Sequence, residues 1–153
     1  MEDKKTYRTL QFMNTVVWQK ERRGVLFGPE HPTLQVGAPP AFRGNPDVWC
    51  PEELLIGALS TCLMLTFLAI AQHHHIQVVH YEAWAEGTLE HSEGKYRVTR
   101  IHVQPVVDVP AGTNPDIAQK VVQETIASCI ITNSLSAEVK FTPKFRIISE
   151  PTA

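Results

Sequence analysis

A chain of 153 residues is long enough to bury one sizeable core and is read as a single domain over residues 1–153. Its 43% hydrophobic and 20% charged residues are the balance of an ordinary soluble globular protein, and a net charge of −2 with scattered Lys and Arg offers no electrostatic fit to nucleic acid or an anionic membrane. Three widely spaced cysteines, Cys50, Cys62 and Cys129, do not form a secreted disulfide framework, and Met1-Glu2-Asp3-Lys4-Lys5 lacks the apolar run of a signal peptide. A reducing, cytoplasmic setting is therefore expected, in which a cysteine pair is catalytic or redox-active more often than structural.

The first predicted strand is Tyr7 to Trp18, which alternates loosely and is rich in Thr, Val and aromatics. Lys20 to Gly24 is a turn, Val25-Leu26-Phe27 returns, and Thr33 to Val36 makes a third short strand. Gly37 to Cys50 carries Pro39, Pro40, Gly44 and Pro46 and is loop. Pro51-Glu52-Glu53 then opens a helix, since proline loses nothing at the first turn and the helix dipole favours acids there. That helix is expected to end at Gln72 or His73. It is apolar on nearly every side, so burial nearly all round is expected.

Gln77 to Leu89 and Arg97 to Val107 are predicted strands of a hairpin closed by His91-Ser92-Glu93-Gly94. Asp116 to Ile130 is the second helix, with Ile117, Val121, Ile126, Cys129 and Ile130 on one stripe. Val139 to Ile148 is the last strand. The order βββ-α-ββ-α-β defines an α+β domain with two central helices.

Leu54 to Ala71 is free of charge and reaches the length of a membrane span. Neither flank has a basic cluster or an aromatic belt, and the buried helix of a soluble protein is the preferred reading.

Cys62 sits in the middle of this run, within Leu59-Ser60-Thr61-Cys62-Leu63-Met64-Leu65. A free cysteine on an apolar helix is commonly a small core hydrophobe. Against that, Cys62 and Cys129 lie on the two predicted helices, so helix packing could bring the sulfurs together. Both have small polar neighbours: Ser60 and Thr61 by the first, and Ser128, Thr132, Asn133 and Ser134 by the second. A thiol with a pKa of about 8.5 is only about 3% ionised at neutral pH, and burial makes ionisation harder. A reactive Cys62 therefore needs help from a cation, for which Arg22, Arg23 and Arg43, all in predicted turns or loops, are candidates.

The string from Pro51 to Cys62, PEELLIGALSTC, resembles a signature of the OsmC/Ohr family, the osmotically inducible and organic hydroperoxide resistance proteins. Cys129 followed by Thr132-Asn133-Ser134-Leu135 is similar to that family's second cysteine stretch, Cys-Pro-x-Ser-Asn-Ala-Leu. The resemblance spans nearly the whole chain. It implies an OsmC/Ohr-like fold of antiparallel sheets around two central helices, in an intertwined homodimer. It also implies a thiol peroxidase for organic hydroperoxides, part of an oxidative stress response. Cys62 matches the peroxidatic cysteine and Cys129 the resolving one. Arg22 matches the activating arginine, with Arg23 as the near alternative. Glu52 matches the glutamate that hydrogen-bonds that arginine. No bound cofactor or metal is implied; an external dithiol, such as a lipoylated protein, would reset the disulfide. Two departures stand out: Ile130 replaces the usual proline, and the glycine pair common before the arginine is missing.

Spacing adds to this. Glu52 and Cys62 are separated by about 15 Å along a continuous helix, beyond a Glu side chain's reach. If they serve one site, they come from different subunits of a two-fold dimer. A second reading of the function is a non-enzymatic member of the same fold that binds a hydrophobic ligand, with the cysteines as packing. A third is a purely structural dimer.

His73-His74-His75 points in three directions on a helix and is read as a solvated helix end, not a metal site. A Cys–His pairing of Cys62 with His80 or His102 has nothing in the sequence to fix it. Trp18, Trp49 and Trp84 are expected in the core or at an interface.

Overall fold

The computed structural model describes residues 7–149. The chain divides into two compact units, Met1–Pro51 and Glu52–Ala153.

The first unit is an antiparallel meander of β1 (Thr15–Lys20), β2 (Arg23–Phe27) and β3 (Leu34–Gly37). Thr15 faces Phe27, and beyond Phe27 the Gly28-Pro29 step leaves the ladder. Tyr7 to Asn14, expected to extend β1, therefore has no strand to pair with and forms no regular structure. Gly24 faces Trp18 across the hairpin, and a Cβ there would sit 2.6 Å from the Val17 carbonyl oxygen, so only glycine fits. After a single 3-10 turn at Pro40–Phe42, Trp49 runs beside β3. Its N–H donates to Gln35 O at 3.2 Å, and its carbonyl accepts Gly37 N–H at 3.0 Å.

The second unit lays helices on one face of a mixed sheet. α1 (Pro51–His73) is followed by the hairpin β4 (His80–Ser92) and β5 (Lys95–Pro110). Ser92 faces Lys95, so the turn is Glu93-Gly94 alone, both with positive φ, 52° and 78°; this matches the right-handed twist of the strands. The hairpin strands run further toward this turn than the sequence suggested, because a long hairpin can carry polar tips in solvent. α2 (Pro115–Ser128) and α3 (Ile130–Ser134) then cross over to β6 (Glu138–Phe141) and β7 (Lys144–Ile148), both parallel to β5.

β6 and β7 together are the single last strand expected from Val139 to Ile148. Val103 faces Phe141, and three residues on in each strand Val106 faces Lys144, so the register is unbroken. That puts Pro105 opposite Pro143. Neither has an N–H to give, and the ladder lapses at that point.

The core lies between helices and sheet. α1 contributes Leu59, Leu63, Phe67 and Ala71, one residue every four, on a single stripe. β5 contributes Ile101, Val103, Val107 and Val109 from alternate positions, and α2 adds Val121 and Val122. Phe67 is the hub, with ring centroids 5.8 Å from Tyr81, 6.4 Å from Phe141 and 6.2 Å from Phe145.

Two expectations fail here and one is narrowed. Burial of α1 nearly all round is not met within one chain: Ala58, Thr61, Leu65 and Ala69 are exposed opposite the core stripe, because sheet and helices cover one side only. By length and composition alone α1 could cross a membrane, with a mean hydropathy of 2.3 over its most apolar window. Second, Trp18, Trp49 and Trp84 are not core residues; each is more than half exposed, which leaves the interface alternative. Third, Ile117 and Ile130 lie off the buried stripe of the second helix, which ends at Ser128, before Ile130. Ala118, Val121, Val122 and Thr125 form the stripe instead.

The histidine triplet ends α1 by a defined motif. His75 N–H bonds Gln72 O at 3.0 Å and Ile76 N–H bonds Ala71 O at 2.8 Å, with His75 left-handed at φ 58°. This is a Schellman cap with histidine where glycine is usual. His74 is not merely solvated: its Nε2 meets Glu124 Oε2 of α2 at 2.9 Å. The backbone reverses within the triplet, and among the described residues no three His, Cys, Asp or Glu side chains gather to hold a metal ion.

Candidate active site

The site is built around a break in a helix. α2 closes with Cys129 N–H on Thr125 O at 3.0 Å, and Cys129 then turns extended at φ −68°, ψ 115°. Its sulfur accepts the Thr132 N–H at 3.5 Å, so Cys129 ends α2 and caps α3 at once. The residues that follow each satisfy the break. Asn133 Nδ2 donates to the Ala127 carbonyl at 3.4 Å, and Ser134 Oγ donates to Ile130 O at 2.8 Å. The small polar cluster around the second cysteine is thus the fastening of a tight helical corner.

This corner puts two amides of α3's first turn, those of Ile130 and Ile131, on the sulfur of Cys62. Such first-turn amides have no partner within their own helix. Cys62 comes from the middle of α1 and packs against the core that includes Cys129. The two thiols lie side by side, and each shifts the ionisation of the other. Thr66, one turn along α1, places Oγ1 3.9 Å from the Cys62 sulfur.

The environments push the two thiols apart. Burial pushes Cys62 up, but the Ile131 N–H, the Cys129 thiol, the Thr66 hydroxyl and the Ile130 N–H all favour its thiolate and together win. Cys62 therefore ionises below the ordinary thiol range. Burial pushes Cys129 up; the Thr132 N–H on its sulfur opposes this, and the neighbouring Cys62 sulfur adds to it. Cys129 ionises above the ordinary range. Cys62 is half-buried and within reach of small molecules, whereas Cys129 is fully buried. Chemically this sets a more acidic, reachable thiol beside a less acidic, buried one, an arrangement that two-thiol redox chemistry can use.

Sequence reasoning named both cysteines but missed the other groups on Cys62. Thr66 was open to detection, since residues four apart share a helix face. The amides of Ile130 and Ile131 were not, because no glycine or proline marks the break at Cys129.

The other two expected residues are each described within their own unit. Arg22, at the β1–β2 turn, donates from Nη1 to Phe42 O at 2.9 Å, and among the described residues it makes no ion pair. Arg23 is tied to Asp47 at 2.6 Å. Glu52 stands in the first turn of α1, and its Oε2 is buried with no hydrogen-bond partner among the described residues. α1 is continuous from Pro51 to His73, so Glu52 lies about 15 Å along the axis from Cys62 of the same chain. The structure brings Cys62 and Cys129 together and keeps Glu52 apart from them. Cys50 is buried just ahead of α1.

The α+β frame has known counterparts. The model of the OsmC-like protein family matches residues 44–144, and the chain belongs to that family. Among solved structures it resembles an OsmC-like protein from Vibrio cholerae, with a TM-score of 0.80 and 25% identity over 92% of this chain and 100% of that one. An organic hydroperoxide resistance protein from Elizabethkingia anophelis has the same fold, with a TM-score of 0.71 and 18% identity over 91% and 100% of the two chains. The YmaD protein of Bacillus subtilis is 22% identical over 108 residues, which are 69% of this chain and 72% of that one.

Proposed function

We propose that this protein is a thiol peroxidase that reduces organic hydroperoxides to alcohols. The observation that carries the reading is the contact of Cys62 and Cys129 with opposed ionisation. The Cys62 thiolate attacks the terminal peroxide oxygen, the O–O bond breaks, and the alkoxide leaves as alcohol after taking a proton. Cys62 is then a sulfenic acid. The Cys129 thiol condenses with it, which forms the Cys62–Cys129 disulfide and releases water. An external dithiol, such as a lipoylated protein, returns both thiols and is itself oxidised to a disulfide. The apolar surroundings of Cys62 favour a greasy peroxide.

Arg22 supplies the cation beside the thiolate, and Glu52 holds that arginine. Its ready guanidinium, against an Arg23 already paired to Asp47, favours Arg22. The unpartnered Glu52 oxygen and its distance from Cys62 favour a homodimer in which each site takes Glu52 from the other subunit. The exposed apolar stripe of α1 is the face that a second copy would cover. The setting is cytoplasmic.

The test is one equivalent of cumene hydroperoxide added to reduced protein, followed by alkylation and site-resolved mass spectrometry. Loss of two thiols as a Cys62–Cys129 disulfide is expected. Survival of both would overturn the reading and bring forward a hydrophobic-ligand protein with cysteines as packing.

A further inference from the structure

We propose that Thr66 is a positioning residue for Cys62, its hydroxyl donating to the sulfur and holding it as the acceptor of the thiol pair. The inference rests on the reading of Cys62 as the nucleophile.

Threonine is an odd choice in the middle of α1. It is β-branched and a modest helix former, and it brings a hydroxyl into an apolar run where valine has the same shape. A half-buried hydroxyl must find a partner or lose stability. The ordinary solution inside a helix is to bond the carbonyl one turn back. Other hydroxyls in this unit do so: Thr125 Oγ1 donates to Val121 O at 2.7 Å, Ser134 Oγ to Ile130 O at 2.8 Å, and Ser60 Oγ to Gly57 O at 3.3 Å. Thr66 departs from them. Its contact is with the side-chain sulfur four residues back, at 3.9 Å.

That contact matters because of what else meets Cys62. From the α2–α3 corner come the Cys129 thiol and the amides of Ile130 and Ile131, and from its own helix comes Thr66. Within the second unit the groups that act on the sulfur are neutral donors, and Thr66 is the side-chain donor among them besides the partner thiol. A hydrogen bond to a charged group is stronger than one to a neutral group, so the hydroxyl favours the thiolate over the thiol. It also approaches from α1, and so serves Cys62 and not Cys129.

The experiment is the pH profile of iodoacetamide alkylation at Cys62, resolved by peptide mass spectrometry, in reduced wild type, Thr66→Val, Thr66→Ala and Thr66→Ser. Thr66→Val is expected to slow alkylation at neutral pH by about tenfold, a shift of about one pH unit in the profile. The rates converge at alkaline pH, where both proteins are thiolate. Thr66→Ser keeps the hydroxyl and stays near wild type. A Thr66→Val profile that overlays wild type would overturn the proposal. So would a Thr66→Ser profile that falls with Thr66→Val, since that assigns the residue to packing. Should Thr66→Val fail to fold, Thr66→Ala against Thr66→Ser decides the same question. Peroxide consumption is read separately. A wild type inert to peroxide but with a hydroxyl-dependent profile removes the peroxidase reading and leaves Thr66 in place.

Discussion

Cys62 and Cys129 pack together with their ionisation shifted in opposite directions, Cys62 down and Cys129 up. Direction follows from the surroundings, because Cys62 gathers amides and a hydroxyl while burial keeps Cys129 protonated. Two outcomes are expected. Near neutral pH a small alkylating agent modifies Cys62 before Cys129. In Cys129→Ser a donor remains but the second sulfur is gone, so peroxide leaves a sulfenic acid on Cys62 that dimedone traps, where wild type forms a disulfide. Alkylation of Cys129 first would reverse the assignment.

Ile130 offers a way to remove one amide from Cys62 without touching a side chain that matters. It is the first residue of α3, where proline is well tolerated. Cys129 before it is already extended at φ −68°, ψ 115°, as the residue before a proline must be. The Ile130 side chain is 73% exposed, so little packing is lost. Ile130→Pro is therefore expected to fold and melt close to wild type while Cys62 alkylation at neutral pH slows about two- to tenfold, the worth of one hydrogen bond. An unchanged rate would show that the Ile131 amide suffices alone.

The sequence made most of the frame legible, and the reasons are local. Pro51-Glu52-Glu53 marked the start of α1, and His91-Ser92-Glu93-Gly94 marked the hairpin turn, because proline, acids and glycine have conformational preferences that act within a few residues. What stayed hidden depended on partners distant in sequence. Tyr7 to Asn14 had the composition of a strand but no neighbour to pair with. Asp116 to Ile130 looked like one helix because the break at Cys129 is held by the Thr132 N–H on the Cys129 sulfur and by the Asn133 side chain on Ala127 O, and neither residue is a helix breaker. The two cysteines could be named from sequence. The difference in their ionisation could not, since it comes from amides that only the folded corner presents.

His75 is a place where the chain gives up stability. It takes a left-handed conformation at φ 58° in the cap of α1, which disfavours any residue with a Cβ. The residue is exposed, and its backbone bond to Gln72 O does not need the imidazole. His75→Gly is expected to stabilise the protein by about 1 kcal/mol, or roughly 2–4 °C in melting temperature for a domain of this size. The neighbouring substitution His74→Ala should act in the opposite direction, because it removes the closer of the two partners of Glu124, the other being Lys120. Differential scanning fluorimetry separates the two, and a destabilised His75→Gly would mean that the imidazole has a contact of its own.

Acid should unfold the protein partly through two carboxylates on the second unit. The Arg146 guanidinium, at 2.6 and 2.8 Å, holds Asp108 below the usual carboxylate range, and His74 does the same for Glu124. For a group with a lowered folded-state pKa, stability is present in full above the unfolded value, about 4 for these side chains, and is lost as pH falls toward the folded value. Wild type should therefore lose melting temperature as pH drops below about 5. Asp108→Asn cannot lose a proton and keeps one hydrogen-bond acceptor. It should melt lower than wild type at neutral pH and show a shallower acid decline, so that the two curves approach each other in acid. Parallel curves across the whole range would mean that the Asp108–Arg146 pair contributes packing and register to β5 and β7, not charge.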